Sequence, residues 1–425
     1  MRKAFKFRLY PTKQQEEKLS WVLARCRELY NAGLTERRDA YHFHVRQHPN
    51  YYDETIRKAL TKELTTGYHE QKGTLPEIKA ELREEYQDIH SQVLQDVLLR
   101  LERAFQNFFR RVREHAEEPG YPRFKSRNRY DSFTYPQVGF SLDVHEKRAT
   151  VTLSKIGTIK VKLHRKLQGA IKTCTVKREV DQWYVIFSCE IAQPGPLPVV
   201  ESEVGIDLGI THFAALSDGS FMESPRLYRK AQADLRRKQR HLSRCKRRSH
   251  RREKARKAVA KAHRKVANQR KDFHHKHARK LVQEHQVIVF EDLQLANLTR
   301  TPRTKQDEAT GQYLPNGAAA KGGLNKSLLD AGMGQFVAIV THKAEEAGRT
   351  VVKINPRKTS QICSQCHKQG PHKDLEERVH ICSFCGVVLD RDTNAAINIL
   401  TAWKRPTLWA RLCGKRAQGV EAPCL

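Results

Sequence analysis

Val204-Gly-Ile-Asp-Leu-Gly-Ile210 is an apolar run broken by a single acid, and His212-Phe-Ala-Ala-Leu-Ser-Asp-Gly-Ser220 follows it almost at once. The first stretch reads as a strand of the buried type, and the second as another strand ending in an Asp218-Gly219 turn. Pro194-Gly195-Pro196, just upstream, reads as a linker, so a new domain is expected to open near residue 200. Beyond it the pattern predicts a strand over QVIVFEDL (286–293), a Gly-, Pro- and Lys-rich loop from about 300 to 324, a helix over DAGMGQFVAIVTHKAEEAG (330–348) and a strand over TVVKIN (350–355). Strands alternating with helices predict an α/β domain.

Toward the N-terminus, AFKFRLY (4–10) alternates apolar and polar residues like a half-buried strand. Pro11-Thr12 then starts a helical spacing at Leu19, Val22, Leu23, Cys26, Leu29 and Tyr30. Helical spacing returns from about 85 to 113 as Ile89, Val93, Val97, Leu101, Phe105, Phe108 and Val112, and stops before Pro119-Gly120. After Gly120-Tyr-Pro-Arg-Phe-Lys-Ser126 the period becomes two, and ATVTLS (149–154), TIKVKL (158–163), KTCTVKRE (172–179) and QWYVIFSCEI (182–191) read as successive strands. The lone N-terminal strand most simply joins them in a small β-barrel or sheet, which makes residues 11–118 a helical insertion.

The chain has 425 residues, room for about three domains, and a formal charge of +32. Residues 226–280 hold 24 Lys and Arg against the three acids Asp234, Glu253 and Asp272, about two thirds of the net charge. Ala255, Val259, Ala262 and Val266 recur there at steps of four and three, so the segment is expected to be helical with one apolar stripe. A solvated charged helix would repel itself at this density, whereas phosphates would neutralise it, so nucleic acid is the expected partner. The candidate contacts are Arg236, Arg237, Lys238, Arg240, Arg244, Lys246, Arg247, Arg248, Arg251 and Arg252. No apolar stretch approaches the roughly 20 residues that span a bilayer, and MRKAFKFRLY has no signal-peptide core, so no membrane is expected and the location is expected to be cytoplasmic.

Of ten cysteines, Cys363-x-x-Cys366 and Cys382-x-x-Cys385 have the spacing of a four-cysteine zinc site. Two such knuckles complete a tetrahedron with no open position, which predicts one structural Zn²⁺. His367, His372 and His380 lie nearby, but four cysteines suffice; the other six cysteines show no framework spacing, which argues for reduced thiols.

Four carboxylates remain, on three separate elements. Asp207 sits inside an apolar strand, where its charge is costly unless a cation or hydrogen bonds meet it. Glu291 ends the run VIVFE, and Asp390 and Asp392 precede the helical stretch TNAAINIL, where an acid also serves as a cap. Converging carboxylates would repel by up to about 4 kcal/mol per pair at 4 Å and a dielectric of 20. Divalent metal removes that repulsion and suits phosphodiester displacement.

Taken together, Val204-Gly-Ile-Asp-Leu-Gly-Ile210, the basic segment ending in Asn268-x-Arg-x-Asp-Phe-x-His-Lys276, Glu291-Asp-Leu293, Thr359-Ser-Gln-x-Cys-Ser-x-Cys366, Cys382-x-x-Cys385 and Asp390-Arg-Asp-Thr-Asn-Ala-Ala-x-Asn-Ile399 resemble the TnpB family, the transposon-encoded ancestors of type V CRISPR effectors. Phe7-Arg-Leu-Tyr-Pro-Thr12 and the stretch from Leu98 through Phe109 to Gly120-Tyr-Pro-Arg-Phe-Lys-Ser126 match it too, so the resemblance covers residues 3–402. It implies a multidomain α+β protein: a wedge β-barrel (1–10 and 119–197) with an inserted helical recognition lobe (11–118), then an RNase H-like RuvC nuclease domain (200–355 and 388–402) with an inserted zinc ribbon (356–387). The 300–324 loop and the 403–425 tail receive no role. It further implies an RNA-guided DNA endonuclease of the prokaryotic cytosol, associated with the nucleoid, with a guide RNA derived from the transposon end and double-stranded target DNA as partners. Asp207, Glu291 and Asp392 become its catalytic acids, holding Mg²⁺ or Mn²⁺, with Asp390 in support. A nuclease-dead repressor should have lost an acid; a directly acting transposase fits less well with a ribbon before the last acid; a zinc-ribbon factor without catalysis leaves Asp207 unexplained.

Overall fold

The structure, a computed structural model, describes residues 1–42, 66–114, 119–145, 148–193, 195–371 and 377–413. His372 and the tail beyond Cys413 lie outside them. The chain divides into two compact units, Met1–Ala192 and Gln193–Leu425, close to the expected linker.

In the first unit, β1 (Arg2–Tyr10) runs into α1 (Lys13–Tyr41). Thr12 caps the helix reciprocally: Gln15 N donates to Thr12 Oγ1 at 3.3 Å, and Thr12 N donates to Gln15 Oε1 at 3.0 Å. Short helical turns over 68–88 lead to α2 (Ser91–Arg113), which begins later than the periodicity suggested because Ile89 is extended. The apolar stripes of the two helices, Leu19 to Leu34 and Val93 to Phe105, are buried in one core together with the inner face of a sheet. That sheet also contains β2 (Ser132–Tyr135), β3 (Phe140–His145), β4 (Arg148–Leu153), β5 (Gly157–Lys162), β6 (Ala170–Glu179) and β7 (Gln182–Glu190). Its order is β2-β6-β7-β1-β5-β4-β3, so the N-terminal strand joins the sheet, as expected, and lies at its centre; β2 and β3 were not among the expected strands. The edge strands β2 and β3 are joined by only four residues, 136–139. A flat sheet would separate its edges by six spacings of about 4.8 Å, beyond the roughly 18 Å that this link can span. The sheet therefore curls back on itself.

The second unit opens with β8 (Glu203–Leu208), β9 (His212–Leu216) and β10 (Phe221–Glu223), followed by α3 (Leu227–Arg244), α4 (His250–Glu284) and β11 (Val287–Glu291). A small hairpin, β12 (Lys305–Gln306) and β13 (Tyr313–Leu314), precedes α5 (Ala318–Ala331), α6 (Met333–Ala347) and β14 (Thr350–Ile354). Two predictions are corrected here. The 300–324 segment is not all loop, since α5 already begins at Ala318; and 330–348 is not one helix, since Gly332, at φ +65°, ends α5 and starts α6. That left-handed backbone is costly for residues other than glycine, and a side chain there would also crowd Arg270 and His274.

The sheet order is β10-β9-β8-β11-β14, with β8, β11 and β14 parallel and β9 and β10 antiparallel. Ile206, Leu208, Ile288 and Phe290 pack with Ala278, Leu281 and Val282 of α4 and Phe336, Val340 and Ala344 of α6. Strand alternation turns Gly205 and Asp207 to the opposite face. There lies α7 (Arg391–Lys404), reached through the short strands β15 (Val379–Ile381) and β16 (Val388–Asp390); α8 (Pro406–Leu412) follows. A Cβ on Gly205 would come within 2.2 Å of Ala396 O and 2.8 Å of Leu400 N, so glycine is what lets α7 sit this close to β8. Among the described residues no helix is long and apolar enough to cross a membrane.

Candidate metal centres

Asp207 and Glu291 become neighbours through strand register. The parallel pairing of β11 with β8 runs from Val287 opposite Glu203 to Phe290 opposite Ile206, so the next step sets Glu291 beside Asp207. Adjacent parallel strands lie about 4.8 Å apart. Asp392 arrives from the other side, at the start of α7, which the missing Cβ of Gly205 admits. Asp390 is the N-cap of that helix: its Oδ1 accepts from Asp392 N at 2.8 Å and Thr393 N at 3.1 Å. Asp390, expected as a supporting acid, is thus seen to fix the backbone at Asp392.

The charges do not balance within the protein. Burial first, then Glu291 and Asp392, push the Asp207 carboxyl well above the usual range, against the pull of Arg391. Burial also raises Glu291, opposed by a hydrogen bond from Thr359. Asp392 is raised by burial and by Asp390, with Arg378, 3.8 Å away, pulling it down. A hard divalent cation fits this set, because it favours oxygen ligands and supplies the missing charge. The oxygens are more spread than the sulfurs below: among the described residues, only the cysteine quartet has three or more such ligand atoms all within 4.8 Å of one another.

Cys363, Cys366, Cys382 and Cys385 form that quartet. Cys363 Sγ is 3.7 Å from Cys385 Sγ, and Cys366 Sγ is 3.6 Å from Cys382 Sγ. A disulfide would need about 2.05 Å, whereas a zinc tetrahedron with 2.3 Å bonds sets sulfurs about 3.8 Å apart. Backbone N–H groups of Phe384 and Cys385 help to hold the Cys382 thiol down at about 6, favouring the thiolate that a zinc takes. The arrangement fits the ion.

Several residues at these centres had been given no role by the sequence. Thr359, buried between β14 and the first knuckle, donates its hydroxyl to Glu291 Oε1 at 2.6 Å. Asn394 and Asn398, one helical turn apart on α7, are fully buried. Asn394 Nδ2 donates to Ile362 O at 2.9 Å, its Oδ1 accepts from Ser364 N at 2.9 Å, and Asn398 Nδ2 reaches Ile362 O at 2.7 Å and Thr359 O at 2.8 Å. Their spacing of four was the available signal. His212 is a further case: β10 skips Phe213 in its pairing with β9, a bulge that buries Phe213 in the core and leaves His212 opposite Glu223, with Nδ1 2.9 Å from Glu223 Oε1.

The basic segment is a helical pair, α3 and α4, capped at its second start by Ser249. Arg236, Arg237, Arg240, His241 and Arg244 line an open groove of about 560 Å³ on α3. Lys246, Arg247, Arg248 and Arg251 are exposed around the turn. Three expected contacts are partly engaged inside the protein. Arg237 Nη2 donates to Asp234 Oδ1 at 2.8 Å. Lys238 pairs with Asp234, and Arg252 Nη1 donates to Leu242 O at 3.0 Å and Cys245 O at 3.1 Å, closing the end of α3.

Comparison with known families agrees along the chain. Residues 186–301 match a family model described as "Probable transposase", residues 334–399 one described as "Cas12f1-like, TNB domain", and residues 1–44 one described as "Helix-turn-helix domain". The described part of that last stretch is the strand β1 and the single helix α1. The Escherichia coli protein "Putative RNA-guided DNA endonuclease InsQ" is 32% identical over 94% of this chain and 92% of its own length. A "Putative RNA-guided DNA endonuclease" of Streptomyces pristinaespiralis is 33% identical over 97% and 91%. A TnpB-like protein of Acanthamoeba polyphaga mimivirus is 30% identical over 37% of this chain and 27% of its own. Two relatives above 30% identity along nearly their whole length, with a mixed α+β architecture, make this chain a member of the TnpB family.

Proposed function

We propose that this protein is an RNA-guided DNA endonuclease that hydrolyses target DNA at a divalent-metal site formed by Asp207, Glu291 and Asp392. The observation that carries the reading is that three carboxylates from β8, β11 and α7 meet with their charge unbalanced, in a chain whose relatives bear that name. The mixed sheet of the second unit supports an RNase H-like RuvC domain over 200–355 and 388–402, with a zinc ribbon over 356–387. The curled sheet of the first unit supports a wedge barrel over 1–10 and 119–197, with residues 11–118 as its inserted recognition lobe.

The three acids would hold Mg²⁺ or Mn²⁺. Bound divalent metal neutralises the phosphodiester's developing charge and supports in-line attack by water. The protein's share is orientation. Strand register fixes Asp207 beside Glu291, Thr359 fixes one oxygen of Glu291, and Asp390 fixes the helix start that presents Asp392. Structural Zn²⁺ would be held by Cys363, Cys366, Cys382 and Cys385. The exposed arginines of α3 and the following turn would hold nucleic-acid phosphates, and Arg237, Lys238 and Arg252 contribute less because they already have partners.

The partners are a guide RNA derived from the transposon end and a double-stranded target carrying a short adjacent motif. Expressing the protein beside its own downstream genomic flank and sequencing the copurifying RNA should give one abundant species. Replacing its guide segment should redirect cleavage, with the adjacent motif still required. Cutting by the protein alone, at sites of its own sequence preference, would overturn guidance and favour a directly acting transposase.

A further inference from the structure

The ribbon and the carboxylate centre share one hydrogen-bond network. Its first part is short: Thr359 Oγ1 to Glu291 Oε1, 2.6 Å. This links residues 68 apart in sequence, and Thr359 is 4% exposed, so little water competes for its hydroxyl, whose other acceptor, Pro356 O, is farther at 3.2 Å. Among the described residues no second hydrogen bond to the Glu291 carboxylate is found. Hydroxyl-to-carboxylate bonds of this length are charge-assisted and stronger than neutral ones.

Thr359 is itself held in place. Its carbonyl accepts from Asn398 Nδ2 at 2.8 Å, and the same amide nitrogen donates to Ile362 O, the carbonyl immediately before Cys363. Asn394 grips the same carbonyl and also accepts from Ser364 N, inside the first knuckle. Both asparagines stand on the helix that begins with Asp392. One amide row on α7 therefore ties the first cysteine knuckle to Thr359, while the same helix presents the third acid. An unanchored Glu291 side chain would sample several rotamers, whereas ligation needs one.

We propose that Thr359 is a positioning residue of the nuclease centre: its hydroxyl selects the Glu291 rotamer that receives divalent metal. This rests on the acids being a metal site, as proposed above. Residues that orient metal ligands in this way typically change metal affinity or activity by about 10–100-fold when removed. Thr359→Val keeps the shape and removes the donor; Thr359→Ser keeps the donor.

The test is Mn²⁺ binding to the full-length, zinc-loaded protein, read by electron paramagnetic resonance and calorimetry, together with zinc content, melting temperature and the Mg²⁺ dependence of cleavage. Thr359→Val should bind Mn²⁺ about ten-fold more weakly and need correspondingly more Mg²⁺ for half-maximal cutting, with one zinc per chain and an unchanged melting temperature. Thr359→Ser should return to within about two-fold of the parent. Unaltered Mn²⁺ affinity in Thr359→Val would overturn the proposal. So would an equal loss in both variants accompanied by lost zinc or a lowered melting temperature, which would make Thr359 a residue of the fold alone. Asp207→Ala separates the two readings: if it binds Mn²⁺ as the parent does, the carboxylate site itself is wrong, whatever Thr359 does.

Discussion

The two candidate metal centres lie within one stretch of chain and are built in opposite ways. The cysteine quartet comes from two tight turns only 15 residues apart, and its four sulfurs already stand at zinc spacing. The carboxylates come from β8, β11 and α7, are more spread, and are raised by burial and by one another. As proposed, one centre is a staple for a small loop with little core of its own, and the other holds unbalanced charge in place. The staple adds stability and the charged centre costs it, which is what structural and catalytic sites respectively are expected to do.

The sharpest way to break this contrast is to remove the staple. Cys363→Ser should lose its zinc, lower the melting temperature and abolish cleavage together, because structural zinc binding is worth about 10 kcal/mol or more in small zinc domains. Metal analysis and calorimetry on the same preparation check this, and a variant that kept its zinc and cut normally would show the ribbon assignment to be wrong.

A smaller effect is expected where the two centres meet the sheet. Gly205→Leu should push α7 away from β8, cost about 1–3 kcal/mol as overpacking does, and slow cleavage by moving Asp392 relative to Asp207. Denaturant melts with a parallel cleavage assay would reveal it; unchanged cutting in the destabilised variant would mean that the approach of α7 is not what sets the third acid.

The smallest effect bears on sign. Asp207 titrates above its unfolded value, so its ionisation opposes folding: the metal-free protein should lose stability as pH rises from about 4 through the raised carboxyl range, then level off. Asp207→Asn removes that cost and should raise the metal-free melting temperature at pH 7 by a few degrees, about 2–5 °C, while Mg²⁺ should stabilise the parent more than the variant. A lower melting temperature for Asp207→Asn would mean that the carboxylate is already paid for by a partner inside the protein.

How legible each centre was follows the same contrast. The cysteines are local, so spacing alone found them, and Asp207 stood out because an acid interrupts an apolar strand. The alternation in 149–191 gave β4 to β7, but β2 and β3 were missed, since each is a short strand lying before that run; β1 joins the sheet as expected, and its central position was not foreseen. Thr359 stood in a quoted motif, but its contact was not legible, because its partner is 68 residues away and a threonine before a knuckle has no periodic signature. Gly205 looked like any small residue in a strand until α7 was seen lying 2.2 Å from where its Cβ would be. Gly332 was absorbed into a helix because the apolar pattern on either side hid the break that its positive φ makes. Arg252 counted as one cation among many, since sequence carries no sign that its guanidinium closes a neighbouring helix.

The central claim is that Asp207, Glu291 and Asp392 form the cutting site. It is tested most directly by measuring DNA cleavage and target binding, side by side in Mg²⁺, for guide-loaded Asp207→Ala, Glu291→Gln, Asp392→Ala and Asp390→Ala. The first three should fall by at least about a thousand-fold in cutting, as expected when a metal or reacting group is removed, with binding nearly intact because the arginines of α3 and its turn are untouched. Asp390→Ala, which removes a helix cap, should be milder. Cleavage near the parent's rate by Asp392→Ala would contradict the account, and an inactive Asp390→Ala beside an active Asp392→Ala would reassign the third acid to Asp390.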